Sequence, residues 1–425
     1  VSDVYEKSTM PNGLRVLTVP MPGVRSATVM VMAGCGSRYE ERGNNGIAHF
    51  MEHMFFKGAK RFPDTMAVSS AVDALGGVFN AFTGEERVGY FVKLSAAKKR
   101  VAYDVLSDML LNSKFDAEEI ERERGVIIEE IRMYNDDPMS RVQIDFKSHF
   151  FGDQPLGWDI AGPEENIRSI SRTDFLSFLG EHYAADNLTL VVAGGVTHEE
   201  NLALADDYFT FENRREKKPA LPFAPMDDGI RTTLTKRDIE QAHLVLGFPV
   251  PGEDHDDQPA LKVLNNVLGG TMSSRLFHQV RERRGLAYYV RSGRAVYTDA
   301  GALKVSAGVN VDKLHDAIGC VMEEVAKAAE GGLTDDELSK GKENIKGRLD
   351  LSLEDSMAMA SMFAAREVLF GAVRTPEEIV AEIDAVTAAQ VADVAKRYLD
   401  PTKVKMSILG PFDDATRYDA ALDGK

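Results

Sequence analysis

One stretch of the chain occurs twice. Tyr183-Ala-Ala-Asp-Asn-Leu-Thr-Leu-Val-Val-Ala-Gly-Gly195 reads as a helix end, a short turn, an apolar strand and a glycine. Tyr398-Leu-Asp-Pro-Thr-Lys-Val-Lys-Met-Ser-Ile-Leu-Gly410 repeats that order 215 residues later. Phe115-Asp-Ala-Glu-Glu-Ile, a helix start, has its counterpart 218 residues on in Leu333-Thr-Asp-Asp-Glu-Leu. Phe56-Lys57-Gly58 is matched 212 residues on by Leu268-Gly269-Gly270. A near-constant offset across three separate segments is the mark of a duplicated unit.

Local patterning sets the class of that unit. Leu14–Val19 and Thr28–Met32 read as strands split by the turn Pro20-Met21-Pro22-Gly23. Val78–Phe82 and Val88–Leu94 read as a hairpin around Thr83-Gly84-Glu85-Glu86. Ile47–Phe56, Asp174–Tyr183 and most of Ala97–Phe150 carry helical periodicity, and Leu188–Ala193 closes the first copy as a strand. The expected fold is α+β: two homologous domains, each a mainly antiparallel sheet with helices packed on one face. At 425 residues the chain exceeds the ~250–300 that one core supports. Arg214-Arg215-Glu216-Lys217-Lys218 followed by Pro219, Pro222 and Pro225 reads as a stiff, exposed connector. This predicts a first domain over 1–212, a linker over 213–229 and a second domain over 230–425.

Charge and cysteine content narrow the function. The net charge is −17, from 50 Lys+Arg against 67 Asp+Glu. Phosphate binding needs clustered cations, so nucleic acid is not an expected partner. Cys35 and Cys320 are far apart and outside any CxxC pair, which points to a reducing, cytoplasmic setting rather than a disulfide framework. No apolar run approaches the ~20 residues of a membrane span. The start at Val1 leaves room for a targeting segment removed ahead of it.

His49-Phe50-Met51-Glu52-His53 carries the chemistry. Residues i and i+4 share a helix face, so His49 and His53 project side by side and can share one zinc ion. Glu52 borders that face, within reach of a proton on an attacking water. A catalytic zinc needs a third protein ligand and an open position. The helix Glu121–Glu130 offers carboxylates: Glu123 and Glu130 lie seven apart on one face, and Glu129 points about a quarter-turn from Glu130.

Gly46-Ile-Ala-His-Phe-Met-Glu-His-Met-Phe-Phe-Lys-Gly58, followed by Glu121–Glu130, closely resembles the M16, pitrilysin-type, zinc peptidases, nearest to the short two-domain branch that includes the mitochondrial processing peptidase β-subunit and its bacterial homologues. The family pattern of HxxEH, roughly seventy-six residues and then Glu lands on Glu130. The resemblance implies His49, His53 and Glu130 as ligands of one zinc per chain, Glu52 as general base and Glu123 as a supporting carboxylate. It further implies that Arg281 and Tyr288, in Ser274–Tyr289, hold substrate and stabilise the oxyanion. Asn80, Ala81 and Phe82 resemble the family's substrate-binding edge strand, with Phe56 as a candidate pocket residue. The implied activity is cleavage of short or unfolded peptides in a closed clamshell.

Aligning the two copies puts Leu261, Leu264 and Asn265 opposite His49, Glu52 and His53, and Gly341 and Arg348 opposite Glu123 and Glu130. The second copy therefore carries no metal residue and is expected to supply Arg281 and Tyr288. Larger family members join four such units in one chain. With only two units and both motifs present, a homodimer is expected. A non-hydrolytic relative would carry degraded motifs, and a small-amide zinc hydrolase would not need the long repeated architecture.

Overall fold

The computed structural model describes residues 4–211, 218–226 and 228–423. The expected linker, 213–229, lies partly outside them; its described residues have no regular structure.

The first sheet contains β1 (Glu6–Thr9), β2 (Arg15–Pro20), β3 (Ser26–Ala33), β4 (Val78–Thr83), β5 (Val88–Ser95) and β6 (Leu188–Gly194). Their spatial order is β1-β2-β6-β3-β5-β4. The second contains β7 (Thr232–Lys236), β8 (Gln241–Val250), β9 (Ala287–Val296), β10 (Gly301–Asn310) and β11 (Lys405–Gly410), ordered β7-β11-β8-β10-β9. Leaving out β1, the two orders are the same. In each sheet a single pair, β2–β6 or β7–β11, is parallel and the remaining pairs are antiparallel. The sequence repeat is thus a repeat of topology. β1 lacks an apolar signal because its residues, Glu6-Lys7-Ser8-Thr9, are mostly exposed on an edge.

The α-helices longer than four residues are α1 (Ile47–Phe55), α2 (Thr65–Asp73), α3 (Arg100–Asn112), α4 (Ala117–Asp136), α5 (Pro138–Phe151), α6 (Glu164–Ser169), α7 (Arg172–His182), α8 (His198–Tyr208), α9 (Gln258–Gly269), α10 (Leu314–Gly331), α11 (Asp335–Ser352), α12 (Ser356–Phe370), α13 (Pro376–Ala385) and α14 (Ala388–Tyr398). Strand alternation sends Val16, Val29, Val31, Tyr90, Val92, Leu190 and Val192 to one face of the first sheet. There they pack with Phe50, Phe55, Leu106, Ile127 and Phe175 from α1, α3, α4 and α7. In the second sheet Leu244, Leu246, Val305 and Ile408 pack likewise with Leu264, Ile318 and Val394 from α9, α10 and α14.

The opposite faces are also covered. Leu17, Val19, Met30, Met32, Phe91 and Val191 pack against Met359, Ala360, Phe363 and Ala364 of α12. Val245, Ala302 and Leu409 pack against Val142 and Phe146 of α5. One compact unit therefore consists of residues 1–131, 158–221 and 350–375, and the other of 132–157, 222–349 and 376–425. These differ from the contiguous spans 1–212 and 230–425. The physical reason is in the strands: Ser26–Ala33 and Leu188–Gly194 are apolar on both sides, so each sheet needs a second layer. Each half of the sequence supplies that layer to the sheet of the other half.

Phe363 is fully buried and its ring lies 5.3 Å from that of Tyr5. Phe363→Ala should lower the stability of its unit by about 3–5 kcal/mol, read by chemical denaturation. A change under ~1 kcal/mol would show that α12 is not needed to cover the sheet. No described helix is long and apolar enough to cross a membrane.

Candidate metal centre

The nine residues of α1 divide cleanly. Ile47, Ala48, Phe50, Met51, Met54 and Phe55 are buried, while His49, Glu52 and His53 form a half-buried stripe on the remaining face. The entry to this helix is built for a fixed position. Gly46 has φ 103°, and a Cβ there would meet the Ala161 carbonyl oxygen at 2.7 Å. The buried carboxylate of Glu40 accepts from the N–H groups of Gly46 (2.9 Å) and Ala48 (2.8 Å) and from Asn45 Nδ2 (2.7 Å). An acceptor of negative charge satisfies the first-turn donors and favours the positive helix end.

The facing carboxylates come from α4. Ile120, Ile127, Ile128 and Ile131 anchor it, Glu123 is buried among them, and Glu130 is half-buried. Glu121 and Glu129, also candidates by residue type, are exposed; Glu121 pairs with Arg124 at 2.8 Å.

His49, His53 and Glu130 each offer one ligand atom, and these atoms all lie within 4.8 Å of one another. Glu130 Oε2 is 3.8 Å from His49 Nε2 and 3.6 Å from His53 Nε2. A tetrahedral zinc with bonds of ~2.0–2.2 Å sets neighbouring ligands ~3.3–3.5 Å apart, so these residues fit a zinc ion with small inward movements. The donor set, two imidazole nitrogens and a carboxylate oxygen, is of the type found in catalytic zinc sites.

The two histidines differ in their support. His53 Nδ1 donates to Glu123 Oε1 at 2.8 Å, which directs its Nε2 lone pair toward Glu130. His49 Nδ1 is buried without a hydrogen-bond partner among the described residues. Burial, with His53 adding, lowers the His49 pKa to about 4, so this ring is neutral at neutral pH. Burial alone would lower His53 as well, but the bond to Glu123 and the charges of Glu123, Glu130 and Glu52 together raise it. A metal must then displace a proton from one imidazole, not two. Zinc affinity should rise with pH up to the raised His53 pKa, with a slope near one proton, and then level off. Competition titrations between pH 5 and 8 would read this; a two-proton slope would contradict it.

Glu52 is held by a contact from β4. Thr83 Oγ1 donates to Glu52 Oε2 at 2.5 Å, leaving Oε1 without that partner. Burial raises the Glu52 pKa, Thr83 and His53 pull it down, and Glu130 pushes it up, with a net rise. A carboxylate of raised proton affinity beside a metal pocket is suited to take and return a proton. Thr83 and Lys57, which pairs with Glu123, stand in the sequence only as a turn residue and as part of the repeated Phe56-Lys57-Gly58; motif spacing gives neither a role at the site. Their contacts bridge separate elements, and no local periodicity marks them.

β4 is the terminal strand of its sheet and pairs only with β5 among the described strands, so its other edge is open for pairing. Within it, Asn80 is exposed and Ala81 and Phe82 are half-buried. The Phe82 ring packs over Gly89 and against the apolar cluster beneath α12. Alternation sends Phe79, Ala81 and Thr83 to the α1 side, where the rings of Phe79 and Phe56 lie 5.7 Å apart. Arg281 and Tyr288 belong to the second unit. Arg281 is exposed, lies within a π-helical stretch over Phe277–Arg283 and stacks on Phe277 at 4.7 Å. Tyr288 is 76 % exposed on β9. The counterparts of the histidines in the second unit, Leu261 and Asn265, and Leu264 opposite Glu52, lie on α9, with both leucines fully buried.

A family model described as Insulinase (Peptidase family M16) matches residues 15–164, and one described as Peptidase M16 inactive domain matches residues 169–345. An uncharacterized zinc protease of Mycobacterium leprae is 36 % identical over 409 residues, covering 96 % of this chain and 92 % of the relative. The uncharacterized zinc protease YmxG of Bacillus subtilis is 36 % identical over 394 residues, covering 93 % and 95 %. Among solved structures, a protease from Helicobacter pylori is similar with a TM-score of 0.89 at 27 % identity, covering 96 % of this chain and 99 % of that one. A chain of complex III2 from Candida albicans shares the fold at TM-score 0.85 and 17 % identity, covering 98 % and 99 %.

Proposed function

Because the chain belongs to the M16 peptidase family, we propose that it is a zinc-dependent endopeptidase acting on short or unfolded peptides in a chamber closed by two copies of the chain. The observation that carries this reading is the convergence of His49 Nε2, His53 Nε2 and Glu130 Oε2 next to the Glu52 carboxylate. One zinc ion held by these three side chains supplies Lewis-acid activation of water and of the scissile carbonyl.

The rest of the reaction belongs to the chain's own groups. Glu52 takes a proton from the attacking water at Oε1, the oxygen that Thr83 does not engage, and passes it to the leaving nitrogen as the C–N bond breaks. The substrate adds as a further strand along β4, exchanging main-chain hydrogen bonds with Asn80, Ala81 and Phe82, so binding demands little of the peptide sequence. Phe56, with Phe79, borders that strand as an apolar side-chain pocket. Arg281 and Tyr288 of a second copy donate to the oxyanion that forms on the scissile carbonyl. Their exposure suits a role completed by another molecule.

The test is zinc content measured together with cleavage of a quenched fluorogenic, unstructured peptide, with and without chelator. Zinc bound and cleavage lost on chelation is the expected result; metal-independent cleavage would overturn it. The composite site has its own test. Mixed Glu52→Gln and Arg281→Ala chains should regain activity that neither has alone, because one site per mixed dimer is then complete. A strictly monomeric active species would exclude the dimer.

A further inference from the structure

We propose that Lys57 is a positioning residue of the metal centre, acting through Glu123 to fix the orientation of His53. The inference rests on the metal reading above. Lys57 Nζ lies 2.6 Å from Glu123 Oε2, while Glu123 Oε1 accepts from His53 Nδ1 at 2.8 Å. Both oxygens of one carboxylate are thereby engaged, each by a different donor, and the plane of the group is set. A carboxylate held only by the imidazole could pivot about that single bond, and the ring would pivot with it.

The placement of Lys57 makes this orientation effective. Its backbone N–H donates to the Met54 carbonyl at 3.1 Å, so it leaves directly from the end of the helix that carries His49 and His53. Glu123 sits on α4 together with Glu130. The Lys57–Glu123 pair thus links the two helices that supply the three ligand atoms. It also places a cation beside a 4 % exposed carboxylate, in a pocket that already holds Glu52 and Glu130. The dependence falls on this contact because His49 has no comparable support: its Nδ1 is buried and unpartnered among the described residues. Outer groups that orient a metal-binding histidine typically alter metal affinity by ~10–100-fold when removed.

The experiment uses the full chain stripped of metal and titrated with zinc against a fluorescent chelator. Lys57→Met should bind zinc ~10–100-fold more weakly than wild type, and Lys57→Arg, which restores a cation with hydrogen-bond donors, should recover most of that loss. Lys57→Met leaves the buried Glu123 carboxylate without its cation and should lower the zinc-free melting temperature, whereas Lys57→Arg should keep it near wild type, so the titrations are run well below the lowest melting temperature, where every chain is folded. If Lys57→Met does not fold, Lys57→Gln takes its place in the same titration. Wild-type zinc affinity in the uncharged variant would overturn the inference. Failure of the wild-type chain to bind zinc at all would instead overturn the metal reading on which it rests.

Discussion

Glu52→Gln is expected to retain zinc and to cleave peptide about 10²–10⁴-fold more slowly, the usual contribution of a positioned acid–base group. The substitution is close to isosteric. The glutamine carbonyl can still accept from Thr83 Oγ1, which engages Glu52 Oε2 at 2.5 Å. The other oxygen becomes an NH₂ group, which has no basic site for a proton. His49, His53 and Glu130 are untouched, so the metal-binding trio stays complete. The two readouts therefore separate: metal content by elemental analysis should match wild type, while turnover of the fluorogenic peptide falls. Substantial turnover in a zinc-loaded Glu52→Gln chain would assign the proton transfer to another group.

His53→Ala is expected to remove both metal and activity. The ring supplies Nε2, 3.6 Å from Glu130 Oε2, and its loss leaves two ligands. Structural zinc sites with four ligands bind with roughly 10–16 kcal/mol in total, so one ligand accounts for about 3 kcal/mol and its removal for a ~10²-fold or greater loss of affinity. The substitution also leaves Glu123 and Lys57 paired only with each other, close to Glu130. Zinc should then no longer raise the melting temperature, since an ion that binds the folded state weakly stabilises it little. A His53→Ala chain that keeps wild-type zinc affinity would move the metal to another ligand set. This separates His53→Ala from Glu52→Gln: one loses the ion, the other only the proton acceptor.

The readable part of the fold was local. Ile47–Phe56 is helical because buried and half-buried positions recur at helical spacing, and it is observed as Ile47–Phe55. Val78–Phe82 and Val88–Leu94 are observed as β4 and β5, paired antiparallel. Glu6–Thr9 was silent because an exposed edge strand needs no apolar alternation. The continuous apolar character of Ser26–Ala33 signalled burial on both sides, yet nothing in it names the covering element. Residues 356–370 are more than three hundred positions away, and their match to that face is a matter of shape and volume.

The site divides along the same line. The i, i+4 placement of His49 and His53 and the position of Glu52 between them follow from helix geometry, which the sequence encodes in 3.6-residue steps. The absence of these residues from the second copy is also a property of the sequence, visible once the repeat is aligned. By residue type alone the carboxylates of Glu121–Glu130 are all candidates for a third ligand; in the folded chain Glu121 and Glu129 are exposed, Glu123 is buried against His53, and Glu130 lies within 3.8 Å of both imidazoles. Thr83 on Glu52 and Lys57 on Glu123 are likewise contacts of the folded chain. Periodicity acts over a few residues and is written in their order. Contacts between separate helices and strands depend on how whole faces fit together, and only the tertiary structure supplies that.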